Sequence, residues 1–180
     1  MSLAAADSGG RAFLARHARA SFWYLVALVA GIGVYTVWDQ YQLWEAGGLS
    51  KLLLPEYQGN YFYFYALTRI LAPYLLSFIF ALVLLWVLPW INKRSGGRFF
   101  EAEEPYMAAS AVFLVGYPGW LFYIPLLIGL YLFWHLIGLV RGESNRRLPL
   151  YGFWGPTGAV LFLTAQYYLA STPIWLLLKI

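Results

Sequence analysis

The chain has 180 residues, 62% hydrophobic and only 11% charged, with a mean hydropathy of +0.63; a soluble domain carries roughly a quarter charged residues. A chain this short cannot enclose that much apolar surface, so composition excludes a water-soluble globular domain and makes the lipid bilayer the expected partner. Cysteine is absent, which excludes disulfides, thiolate metal sites and a cysteine nucleophile. The net charge of +4 comes from Lys and Arg grouped beside apolar runs, and it reads as a topology signal with no nucleic acid implied.

Residues 1–20 are small, polar and basic, with Arg11, Arg16, His17 and Arg19 against Asp7. They read as a cytoplasmic tail ahead of a single helical domain over residues 21–180. The first apolar run, residues 22–38, is about 17 residues long, close to the shortest that crosses a hydrocarbon core of roughly 30 Å. No small-x-small cleavage site follows it, because Tyr35-Thr36-Val37-Trp38 is too bulky, so it is expected to be an uncleaved span. The Ala- and Arg-rich start keeps the mitochondrial inner membrane as an alternative to a plasma or bacterial inner membrane.

Residues 39–60 are mixed and mildly acidic, with Asp39, Glu45 and Glu56 against Lys51. A second apolar run covers residues 61–91. It opens on the aromatic string Tyr61-Phe62-Tyr63-Phe64-Tyr65, suited to the headgroup level, and dives from about Ala66 to give a span near residues 66–91. Pro73 falls early in this run, where a kink or first turn tolerates a missing donor, and Pro89 is expected to end it.

Residues 92–104 form the most charged stretch, with Lys93, Arg94 and Arg98 followed by Glu101, Glu103 and Glu104. Pro105 suits the start of a helix, and carboxylates just ahead of it interact favourably with the partial positive charge of a helix N-terminus. Residues 106–140 are apolar but broken by Gly116-Tyr117-Pro118-Gly119, a turn cluster, and a last apolar stretch, expected as a span over residues 150–172, follows the basic loop holding Arg141, Arg146 and Arg147. The predicted fold is all-α and polytopic, with four to five hydrophobic helices including a Gly/Pro-turned hairpin of residues 106–117 and 120–140.

Ionisable groups inside a membrane are costly, so the few present are individually informative. No Asp, Glu or Lys falls within an expected span, which argues against a proton-driven carrier or an aspartyl intramembrane protease. Arg69 stands near the start of the second span, either as a snorkelling anchor or as a ligand for an anionic headgroup. His135 would need a second ligand to hold haem or a metal, and the only other histidine, His17, lies in the tail; no cofactor is expected. Gln166 reads as interhelical glue. Glu101, Glu103 and Glu104 are expected to act on helix entry and charge balance. Small residues at Ala108-Ala109-Ser110-Ala111, and at Ala27 with Gly31, would allow close helix approach, with Ala108 and Ala111 expected near Gly129 across the hairpin.

The function expected is that of a non-catalytic structural, assembly or accessory component of a membrane complex, partnered by lipid and by other membrane subunits. Two alternatives are a transport or lipid-handling protein using the broken 106–140 segment, and an interfacial enzyme using a metal on Glu101, Glu103 and Glu104. By the positive-inside rule the basic clusters at the N-terminus, at residues 93–98 and at residues 141–147 all face the cytoplasm, so the chain is expected to cross an even number of times between Glu104 and Arg141. Residues 106–116 make only roughly 16 Å of helix, too short to cross alone. The C-terminus then faces away from the cytoplasm. Single cysteines at Ser50, Ser95 and Ser144, treated with an impermeant thiol reagent in intact cells, test this: only Ser50 should label. Labelling of Ser144 together with Ser50 would make residues 106–140 a single broken span.

Overall fold

A computed structural model describes residues 3–97, 100–141 and 151–164, and every regular element among them is helical. In chain order they are α1 (Leu3–Ala46), a single 3-10 turn (Ser50–Leu53), α2 (Pro55–Gln58), α3 (Tyr61–Tyr65), a π-helical turn (Ala66–Leu71), α4 (Ala72–Arg94), α5 (Glu104–Val115), α6 (Trp120–Val140) and α7 (Tyr151–Thr164). Among the described residues, three stretches are long and apolar enough to cross a membrane: His17–Ala46, Tyr61–Arg94 and Trp120–Val140. Helices α5 and α7 are apolar but shorter. The fold is an all-α polytopic bundle of the kind expected.

Side-chain clusters fix how the elements align. Phe22 of α1, Ala81 of α4 and Ala109 and Phe113 of α5 share one buried cluster. Further along, Val37, Tyr41 and Trp44 of α1 close around Leu54, Phe62 and Ala66. Moving up α1 thus means moving back along α4 and α3, so the two long helices run antiparallel. Leu71 also passes the backbone of Gly33, 3.6 Å from where a Cβ would stand. The connection after α1 folds back over this end, with Leu54 buried as its plug and the Tyr41 hydroxyl donating to Glu56 Oε1 at 2.9 Å.

The short helix α5 is the hub, packed against α1, α4, α6 and α7. Ala108, Ala109 and Val112 have no exposed surface at all, because small side chains let neighbouring backbones close in from several sides. At its end Gly116 takes φ +70°, a conformation open chiefly to glycine, and a cis peptide joins Tyr117 to Pro118. The Trp120 ring then stacks on Phe80, with centroids 4.1 Å apart and planes 11° from parallel. Phe80 lies near the middle of Tyr61–Arg94, so the turn sits halfway along the longest span. From there α6 returns along α5, placing Tyr123 and Leu127 in the cluster of Ala108, Ala111 and Val112.

Several expectations change. Helix α1 starts at Leu3 and ends at Ala46, so most of the basic tail is helical and the helix outruns the apolar run at both ends; apolar periodicity cannot report a helix through polar residues. Pro89 does not end α4, which continues to Arg94, as proline loses a single backbone bond that helices in apolar surroundings absorb by local adjustment. Ala111 does not meet Gly129, where a Cβ would find nothing within 4 Å; its close partner is Gly158 of α7, where a Cβ would stand 3.3 Å from Ala111 Cβ. Gly31 is likewise open, so Ala27 and Gly31 form no tight helix crossing. The far part of the last expected span, including Gln166, lies outside the described residues.

The turn should be intolerant at one further position. A Cβ on Gly119 would lie 2.7 Å from Val115 Cγ1 and 2.9 Å from its carbonyl oxygen, and backbone cannot step aside as a side chain can. Gly119→Ala is expected to cost about 1–3 kcal/mol by overpacking, seen as a lowered midpoint of thermal unfolding in detergent. Gly129→Ala, facing open space within α6, should be neutral or slightly stabilising.

Candidate functional site

The residues singled out from sequence fall at three separate levels of the bundle. At the end where α4 stops and α5 begins, Asn92 organises the charged loop. Its Nδ2 donates to the Phe100 carbonyl at 2.7 Å while the Phe100 N–H donates to Asn92 Oδ1 at 3.0 Å. The Gly97 N–H adds a bond to the Asn92 carbonyl at 2.8 Å, and Gly96 and Gly97 supply the positive φ angles that the reversal needs. Lys93 and Arg94 are exposed on this ring, and the Arg94 guanidinium lies 4.2 Å over the Trp90 ring, held there by cation–π attraction.

The acidic residues follow. Glu103 precedes the first turn of α5 and Glu104 begins it, at 6% and 1% exposure, while Glu101 is half-buried. The Glu103 carbonyl receives the N–H groups of Tyr106 and Met107, both at 3.1 Å. This is the helix-entry position inferred from Pro105, although burial this deep was not foreseen. Among the described residues no three His, Cys, Asp or Glu side chains gather so as to hold a metal ion, so Glu101, Glu103 and Glu104 do not form the site that an interfacial metalloenzyme would require.

At the middle level stand Gly116, Tyr117, Pro118 and Gly119. The first four N–H groups of α6, which in a helix have no partner of their own, are all taken up locally. Trp120 donates to Gly116, Leu121 to Pro118, and Phe122 and Tyr123 both to Gly119, at 3.0–3.1 Å. The turn therefore presents no open helix N-terminus to an anion. The Tyr123 hydroxyl, fully buried, donates to the Trp154 carbonyl at 2.8 Å and ties α6 to α7. Two indole N–H groups in this region, those of Trp120 and Trp154, are buried without a hydrogen-bond partner.

Arg69 is far from both groups, about 36 Å along the helix from Lys93. Arg69 is exposed on the π-helical turn toward the other end of the bundle. His135 is half-buried on the outer half of α6 and stacks with Tyr131, centroids 6.3 Å apart. The structure therefore buries Glu103 and Glu104 side by side at the start of α5 and leaves Arg69 apart from them. Asn92 was missed in the sequence; its signal was an amide at a helix end followed by Ser95-Gly96-Gly97, the composition of a C-terminal cap.

These features define a class, an all-helical polytopic protein with segregated charge and an enclosed half-length helix. No family, curated protein or solved structure matches the chain.

The Asn92 clamp makes a direct prediction. Asn92→Ala removes two bonds to one peptide unit and is expected to cost about 1–3 kcal/mol. In detergent solution trypsin should then cut after Lys93 and Arg94 several times faster than in the unaltered chain, with no change at Arg141.

Proposed function

We propose that this chain is a non-catalytic structural, assembly or accessory subunit of a membrane complex, held in a plasma or bacterial inner membrane with its N-terminus in the cytoplasm. The observation that carries this reading is α6. Starting halfway along α4, its 21 residues make roughly 31 Å of helix, more than the bundle beside it can cover. Leu130, Leu132, Phe133, Trp134, Leu136 and Leu139 are all exposed, and Val140 is 90% exposed. An apolar helix whose outer half is exposed over most of its surface suits a lipid- or subunit-facing role, whereas a catalyst or carrier needs a convergent polar group. The closed hydrogen bonding of the turn supports the same reading, since irregular backbone that lines a pathway presents its polar groups to the lumen.

One observation favours the lipid-handling alternative. The unpartnered indole donors of Trp120 and Trp154 would suit an uncharged acceptor such as an ester carbonyl. Extraction in mild detergent and purification by an affinity tag separates the readings. An accessory subunit is expected to elute with a stoichiometric membrane protein that is lost in a Phe133→Ala/Leu136→Ala variant retaining its helical circular dichroism. Elution as a lone chain carrying a stoichiometric lipid would overturn the proposal in favour of the alternative.

A further inference from the structure

Arg69 is the sole charged residue between Tyr61 and Ile91, and two features of its setting are independent of each other. The first is backbone. Pro73 has no N–H to offer the carbonyl four residues back, and the helix widens just before it, with the Ala72 N–H reaching past the usual acceptor to the Leu67 carbonyl. Such π-helical turns recur at functional sites. The Thr68 hydroxyl is taken up on its own helix, donating to the Phe64 carbonyl at 2.7 Å, so the polar group left to reach outward from this turn is the guanidinium.

The second is charge. Arg69 is exposed and, among the described residues, makes no ion pair or hydrogen bond. It lies about 12 Å along the helix from Tyr61 and about 36 Å from Lys93, and Tyr63 and Phe64, 62% and 67% exposed, mark the aromatic level just above. A guanidinium at that depth reaches toward the headgroups by its long stem and offers a planar fork that matches a phosphate bidentately. The protein surface at the same end carries Asp39, Glu45 and Glu56 against Lys51. Diffuse attraction for anions is therefore lacking there, and any that binds is held by Arg69 itself.

We propose that Arg69 is a specific site for the phosphate of an anionic phospholipid in the leaflet on the Tyr61 side. The counter-ion is external because the described residues supply none, and it is a lipid because the residue faces outward at headgroup reach. The proposal does not depend on the accessory-subunit reading, and its test uses the purified full chain alone.

The chain is placed in phosphatidylcholine nanodiscs doped with spin-labelled phosphatidylglycerol, and the motionally restricted fraction is measured against spin-labelled phosphatidylcholine. A preference for the anionic probe of about tenfold is expected from one charge-assisted bidentate contact. Arg69→Gln should abolish it, Arg69→Lys should keep part of it, and Lys93→Gln/Arg94→Gln should keep most of it. Circular dichroism and the unfolding midpoint establish that each variant is folded, and Arg69→Lys keeps the test decisive if Arg69→Gln is not. Equal restriction of both probes by the unaltered chain overturns the proposal and leaves the counter-ion to a carboxylate on another membrane protein. Displacement of the probe by millimolar inorganic phosphate overturns the lipid as the source. Loss of the preference in Lys93→Gln/Arg94→Gln with no loss in Arg69→Gln overturns the site.

Discussion

A peptide group without a hydrogen-bond partner is expensive in an apolar medium, and this cost governs the whole arrangement. A helix that crosses a bilayer delivers both its ends to water, where unpaired groups are solvated. Helix α5 has only 12 residues, roughly 18 Å at the usual rise, so one of its ends stops short. Protein must do there what water does elsewhere. The neighbours α1, α4, α6 and α7 surround the helix, and the Gly116–Gly119 turn hands its carbonyls to the first N–H groups of α6. Small residues on α5 and Gly158 on α7 follow from the same need, because shielding a short helix requires close neighbours.

Charge is distributed by a related constraint. The bases of the α4–α5 loop and the acids of α5 share one end, where Asn92 folds them into a compact ring, and the opposite end carries an aromatic cluster around Leu54 with acids at its rim. Between these ends the interior contains hydroxyls that satisfy themselves on nearby carbonyls, such as Ser77 on Pro73 at 2.8 Å, and the Tyr123 tie to α7. Each of these hydroxyls already gives its hydrogen to a carbonyl.

Much of the fold was legible in the sequence, for identifiable reasons. The hairpin follows from Gly116-Tyr117-Pro118-Gly119 together with charge arithmetic and the shortness of the segment before it, and the start of α5 follows from Pro105. What escaped depended on partners. Which small residue meets which cannot be read from small residues alone: Gly129 was the expected partner of Ala111, and packing placed Gly158 there instead. The reach of α1 escaped because its ends are polar. The burial of Glu103 and Glu104 escaped because it is set by the loop ahead of them, which Asn92 closes, and the π-helical turn at Arg69 because Pro73 alone is compatible with a kink, a first turn or a widened one. Of the candidate site, the residue types were visible, while their separation into three levels was a property of the fold.

The half-length of α5 also bears on how the chain is made. Insertion into a bilayer favours runs of about 20 apolar residues, and α5 falls well below this with two carboxylates at its start. It therefore enters only in company with α6, across the turn. Two of its neighbours, α1 and α4, are synthesised before it, while α6 and α7 come after. Until α7 emerges, the face of Ala111 that Gly158 will cover stays open to lipid. Assembly is thus completed from the C-terminal side, and a nascent chain halted before α7 would display a half-helix with one face uncovered.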